Sequence, residues 1–225
     1  MANTPQPIEV IYCANGNKRF AQIAIDAGFE YGAQLPGTVY HPIMFADQNW
    51  KNPNRERYMI ALAKHQPRMA TVLDLETSEQ LGEVLAWAEE AAQHVIETVI
   101  IIPKAFGIIE QLPRTIGGRQ VRLGYSVPTR YGGTELPVWE FASWPVHLLG
   151  GSPHAQMKMT NYMDVRSADG NYAQLMASRH NEFWRNGKWH ELQDFIGKVN
   201  VDAPYLAFAE SCRNIMAAWR QRKEI

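Results

Sequence analysis

The chain has 225 residues, 46% of them apolar and 20% charged, with a formal net charge of −1. This excludes a disordered chain and is enough to bury a sizeable core in one barrel-sized domain. It also excludes a globally basic nucleic-acid binder, so a polynucleotide partner would need a local basic patch. Two cysteines, Cys13 and Cys212, are too few for a disulfide framework or a zinc site, and they fit a reduced, cytoplasmic setting. Met1–Pro7 has no signal-peptide pattern, and no apolar run is long enough for a membrane span.

The apolar run Ile8–Cys13 predicts a strand that ends in the turn residues Ala14-Asn15-Gly16-Asn17. Lys18–Ala27 spaces Phe20, Ile23, Ala24 and Ala27 on one helical face, with Gly28 as the stop. Glu30–Ala33 reads as a short strand. Pro42–Ala46 reads as another, followed by Asp47-Gln48-Asn49-Trp50. A helix is expected over Asn54–His65, then a strand Met69–Leu73 ending at Asp74-Leu75-Glu76. Ser78 is the expected cap of a helix whose stripe is Leu81, Val84, Leu85, Ala88, Ala91, Ala92 and Val95.

Thr98–Ile102 is a run of β-branched residues, as in a strand buried on both faces, and leads to Pro103-Lys104. A short helix over Phe106–Gln111 follows. Three strands come next: Val121–Tyr125, Val146–Leu149 and Asp164–Ala168. They lead to Ser126, to Gly150-Gly151-Ser152 and to Asp169-Gly170-Asn171. The C-terminal part, from about 172, reads as helices over Tyr172–Arg185 and Pro204–Gln221.

About seven strands separated by helical stretches imply a single α/β domain with parallel pairing; closure into a barrel stays open at this point. In such folds the site lies beyond the carboxyl ends of the strands. Asp47, Asp74, Glu76 and Asp169 all follow predicted strands, as capping groups or as one converging acidic site. Gly150-Gly151-Ser152 is a plain turn or a cradle for a phosphate or purine edge. Thr129-Arg130-Tyr131-Gly132-Gly133 is a surface excursion or a lid. Lys104 is a solvated or ion-paired lysine, or a Schiff-base former. The seven histidines, His147 and His154 among them, show no metal-ligand spacing, so no metal is expected. Phe183–His190 interleaves aromatic and basic residues, as a helix end with core tryptophans or as a nucleic-acid clamp.

Four segments, in order along the chain, resemble the tRNA-guanine transglycosylase superfamily, nearest to the enzymes of phages and bacteria that insert 7-deazaguanines into DNA. They are Phe45-Ala46-Asp47-Gln48-Asn49-Trp50, Leu73-Asp74-Leu75-Glu76, Val146-His147-Leu148-Leu149-Gly150-Gly151-Ser152-Pro153 and Ser167-Ala168-Asp169-Gly170-Asn171. The resemblance implies a (β/α)8 TIM-barrel-like fold, irregular or incomplete in so short a chain. It implies exchange of guanine in DNA or tRNA for a free 7-deazaguanine base, with no cofactor.

By position, Asp169 would match the nucleophile, Asp47 the acid/base, and Asp74 or Glu76 the acceptor for the base edge. Asp164, at the start of the same strand as Asp169, is the rival nucleophile. Gly150, Gly151, Ser152, Gln156, Asn171 and Arg130 complete the expected substrate contacts. The zinc site of the tRNA enzymes has no counterpart, because Cys212 stands alone near the C-terminus. The alternatives are another barrel enzyme acting on a small nucleoside or sugar phosphate, and a non-catalytic nucleic-acid-binding subunit.

Overall fold

The computed structural model describes residues 7–129, 132–192 and 202–222. Eight parallel strands close into a barrel. They are β1 (Glu9–Cys13), β2 (Glu30–Leu35), β3 (Phe45–Gln48), β4 (Met69–Thr71), β5 (Thr98–Ile101), β7 (Arg119–Ser126), β8 (Pro145–Leu149) and β9 (Asp164–Gly170). β6 (Thr115–Ile116) is a two-residue antiparallel extension on β7. The β5–β7 pairing joins the two ends of the sheet, so no barrel edge is left unpaired. The fold is thus a TIM-type barrel, irregular in its helices.

The alternation along each strand explains the closure. On β5, Val99 and Ile101 pack outward, while Ile100 points into the barrel with Ile11, Phe45 and Met69. Around β5 both faces are dry, which is why this strand is an apolar run rather than an apolar–polar alternation. Gly124 of β7 is where the interior is tightest. A Cβ there would stand 2.6 Å from Ile102 Cγ1 and 2.9 Å from Leu149 Cδ1.

Helices α1 (Lys18–Asp26), α2 (Arg55–His65), α3 (Leu81–Ala91), α4 (Pro153–Met159) and α5 (Tyr172–His180) surround the strands, followed by α6 (Ala203–Gln221). Asn17, Asn54 and Ser152 cap α1, α2 and α4 by accepting from Arg19 N, Arg57 N and Ala155 N. No α-helix separates β2 from β3. Between β5 and β7 there is no α-helix either: a 3-10 turn, Ile109–Gln111, stands in place of the expected helix over Phe106–Gln111, and β6 follows it.

Three other expectations are corrected. The cap before α3 is Thr77, not Ser78: Gln80 Oε1 accepts from Thr77 N at 3.1 Å and a 3-10 turn intervenes. α4 carries no apolar stripe long enough to show in the sequence, and it was not expected. The helix expected over Tyr172–Arg185 stops at His180, where Asn181 adopts a left-handed conformation. The chain then forms an antiparallel hairpin, β10 (Glu182–Arg185) with β11 (Lys188–Glu191). Its turn is Asn186-Gly187, both at positive φ. Trp184 is buried beneath it, with Ser211 Oγ of α6 accepting from its amide at 2.9 Å. Among the described residues no helix is long and apolar enough to cross a membrane.

Candidate active site at the carboxyl ends of the strands

A cavity of about 840 Å³ opens at the carboxyl ends of the barrel strands, and Asp47, Asp74, Glu76 and Asp169 all line it. Strand parity puts them there. Asp47 stands two residues after the inward-facing Phe45 on β3, and Asp169 two residues after the inward-facing Ser167 on β9. Asp47 and Asp169 are therefore strand residues, not loop residues, because β3 and β9 each run further than the sequence pattern indicated.

The two aspartates sit deep in the mouth with the Cys13 thiol near both. Burial lifts the Asp47 carboxyl to about 8, the Asp169 charge adds to the rise, and hydrogen bonds from Thr71 and Gln34 oppose it. Thr71 Oγ1 donates to Asp47 Oδ1 at 3.2 Å. Burial also lifts Asp169, to about 7, against the pull of the Gly150 amide. Among the described residues neither carboxyl is paired with a lysine or an arginine. Burial thus holds both carboxyls well above the ordinary carboxylate range, toward neutral pH. Cys13 is pushed well above its usual range by burial and both aspartates, so it remains a thiol.

Asp74 and Glu76 lie on the adjoining wall with Lys104. Its ammonium is 3.2 Å from Asp74 Oδ2 and 3.7 Å from Glu76 Oε1. Burial raises the Asp74 pKa, and Lys104 opposes that rise. Of the readings open for Lys104, ion pairing is the one observed.

The remaining expected contacts divide. Gly150, Gly151 and Asn171 line the cavity. Gly151 is at φ 81°, and a Cβ on it would stand 2.7 Å from Val127 Cγ1, so the turn requires glycine there. Ser152 does not line the cavity; its hydroxyl caps α4. Gln156 also lies behind the wall, where its Nε2 donates to Gly150 O at 2.8 Å and Asp169 O at 2.7 Å. It ties the ends of β8 and β9 together and is not placed to meet a ligand. Thr129, Gly132 and Gly133 reach the cavity, while Arg130 lies outside the described residues. Asp164 is at the opposite end of β9, exposed and paired with Arg166, so it takes no part in this site.

Several cavity residues were not singled out from the sequence. Asn15 clamps the ends of β1 and β2: its Nδ2 donates to Gln34 O, and its Oδ1 accepts from Gln34 N, both at 2.8 Å. Trp50 stands 60% exposed on the rim, with the Lys51 ammonium 5.2 Å from its ring. His147 is fully buried beneath Asp169, with Nε2 3.2 Å from Asp169 Oδ1. A histidine inside the apolar strand Val146-His147-Leu148-Leu149 was the available signal for it. Among the described residues no group of three or more histidine, cysteine, aspartate or glutamate side chains is placed to hold a metal ion.

The family model described as a family of unknown function, DUF6610, matches residues 24–220. A search of curated proteins finds no match. Among solved structures, the YdjI aldolase from Escherichia coli K12 is similar at a TM-score of 0.54 and 10% identity, covering 99% of this chain and 91% of that one. The tryptophan synthase subunit alpha from Legionella pneumophila str. Paris gives 0.40 and 10%, covering 94% of each chain. At this identity the first likeness shows the barrel fold alone.

Proposed function

We propose that this chain, which belongs to the DUF6610 family of unknown function, is a cytoplasmic transglycosylase. In this reading it exchanges guanine in a nucleic acid, DNA in preference to tRNA, for a free 7-deazaguanine base. The observation that carries the reading is the pair Asp47 and Asp169: two carboxyls in one cavity, neither of them paired with its Lys104, lifted to about 8 and about 7. Near neutral pH one is an acid and the other an anion, which is the division of labour that displacement at a sugar carbon needs.

The steps balance without a cofactor. A carboxylate oxygen of Asp169 bonds to C1′ as the bond from C1′ to the guanine nitrogen breaks. The departing base keeps that electron pair, and Asp47 supplies its proton. Guanine leaves and the 7-deazaguanine enters. The Asp47 carboxylate removes the ring N–H proton of the new base, whose nitrogen attacks C1′ and releases Asp169. Both halves pass through an oxocarbenium-like state, which a nearby carboxylate stabilises.

A guanine-like edge offers two adjacent donors, N1–H and N2–H. Lys104 engages one oxygen each of Asp74 and Glu76, and the second oxygen of each is the acceptor we assign to that edge. The Gly151 amide is assigned to O6. A cavity of about 840 Å³ suits a base with its sugar, within the rough range of 300–1,000 Å³ for small-ligand pockets. The target base must leave its stack to enter, and the exposed Trp50 ring on the rim offers a face for its neighbour. The rival reading, Schiff-base chemistry on a small sugar phosphate, needs an unpaired, desolvated amine, and Lys104 is engaged by two carboxylates.

The test is incubation with DNA or tRNA and a labelled 7-deazaguanine. Label entering the polynucleotide, and a covalent adduct that Asp169→Asn abolishes, are the expected results. Absence of both from folded wild-type protein would sink the proposal.

A further inference from the structure

A file of polar groups descends the barrel axis beneath Asp169, through an interior otherwise filled by residues such as Ile11, Phe45, Met69 and Ile100. His147 Nδ1 is 2.6 Å from Ser167 Oγ, and Ser167 Oγ accepts from an Arg122 guanidinium nitrogen at 2.7 Å. The same Arg122 nitrogen donates to Glu9 Oε2 at 3.1 Å, and Arg68 closes the file by donating to Glu9 Oε1 at 3.1 Å. His147 and Ser167 have no exposed surface, and the Phe45 ring lies against the imidazole at 4.7 Å between centroids. Polar groups placed there cost more than apolar ones of similar size unless each is paired, and an apolar plug would fill the same space.

The protons along this file can be assigned from valence. Arginine only donates, so Ser167 Oγ is an acceptor toward Arg122. The single hydroxyl proton then goes to His147 Nδ1 at 2.6 Å or to Met69 Sδ at 3.9 Å. Were Nδ1 protonated and donating to Oγ, the hydroxyl proton would be left with the thioether alone, a weak and distant acceptor, so the arrangement that satisfies every group has the hydroxyl donating to Nδ1. Nδ1 therefore carries no proton. Burial and the Arg122 charge keep the ring neutral, with its pKa lowered to about 3. The one ring proton sits on Nε2 and points at Asp169 Oδ1. A donor aimed at a carboxylate favours its ionised form.

We infer that His147 is a positioning residue: its tautomer, set by Ser167 and Arg122, holds Asp169 ionised and aimed into the cavity, and so makes Asp169 rather than Asp47 the attacking group. Only the word "attacking" rests on the transglycosylase reading. The other charged or titratable groups around Asp169 are few. Cys13 of β1 stays a thiol, and Asp47 of β3 opposes ionisation. Asp74, beyond β4, is offset by Lys104, and Glu9 is offset by Arg68 and Arg122. Among side chains, the imidazole is thus what favours charge on Asp169.

Two measurements test the inference, one of them independent of activity. In 15N-labelled wild type, the imidazole of His147 should show Nε2 protonated and Nδ1 bare while Asp169 is ionised. The carboxyl carbon of Asp169, assigned through Asp169→Asn, should titrate about one pH unit higher in His147→Phe. Ser167→Ala, which frees the tautomer, should move it in the same direction by less, and His147→Gln should restore part of the shift. The acid limb of kcat/KM for base exchange should move with the titration, while KM for the free base holds.

A proton found on Nδ1, or an Asp169 titration unmoved in folded His147→Phe and Ser167→Ala, overturns the inference. If His147→Phe does not fold, the wild-type nitrogen signals and Ser167→Ala decide it. If the titration moves but wild type exchanges no base, the positioning role stands and the transglycosylase reading falls.

Discussion

Two pairs of carboxylates share one cavity, and their neighbours differ. Asp47 and Asp169 meet a hydroxyl, amides and an imidazole, and the Asp169 charge is felt at Asp47. Asp74 and Glu76 hold Lys104 between them. Burial raises the first pair to near neutrality because nothing positive offsets it. On the second wall the lysine opposes the same pressure. Uncompensated carboxyls exchange protons at physiological pH, while compensated ones offer fixed acceptors. In the proposed exchange the first pair is the reacting floor of the cavity and the second its recognising wall.

Breaking the floor should have the largest effect. On the proposed mechanism Asp169→Asn removes the group that bonds to the sugar, so exchange should fall by about 10⁴-fold or more, with no trapped adduct on denaturing gels. Asp47→Asn removes proton transfer and should cost about 10²–10⁴-fold. In wild type, kcat/KM against pH should be bell-shaped, rising as Asp169 ionises near 7 and falling as Asp47 loses its proton near 8.

The same residue has a stability signature. The folded-state pKa of Asp47 lies above the ordinary value of 3.8. Between those two pKa values the folded state therefore holds the extra proton, and stability declines as pH rises through about 8. Asp47→Asn should accordingly raise Tm at pH 9, and the gain should vanish near pH 4 in thermal scans. A Tm difference of the opposite sign would show that the carboxyl is stabilised by a partner and not isolated.

Perturbing the wall should do less. Lys104→Met frees Asp74 and Glu76 to repel each other, and should raise KM for the incoming base about tenfold with kcat little changed. The smallest effect belongs to Ser152, which caps α4 outside the cavity. Ser152→Ala should cost about 1 kcal/mol in denaturant melts and leave exchange unaltered.

The strand β5 was legible because both faces of the barrel wall are dry there, so an apolar run marks it directly. Asp47, Asp74, Glu76 and Asp169 were legible for a related reason, since each breaks or ends such a run at its carboxyl end. Ser152 caps α4 and Gln156 lies in its first turns, and both turn away from the cavity, spent on backbone groups. Sequence spacing carries no record of that rotation. His147 escaped notice because an interior polar residue on a barrel strand is meaningful only once Ser167 and Arg122 are seen beside it. The hairpin at Asn186-Gly187 was readable in principle: two aromatic pairs flank a turn dipeptide suited to positive φ. The helical pattern upstream masked it.

The placement of α6 bears on how the chain comes to fold. Phe208 of α6 packs on Tyr12 of β1 and on Phe20 of α1, and β1 pairs with β9 as well as β2. The seam between β1 and β9, and the α6 cover over it, thus join segments far apart in sequence. Pairing at such separation is slow to form, and until β9 and α6 are in place part of the Tyr12 and Phe20 surface stays uncovered, a natural target for chaperones.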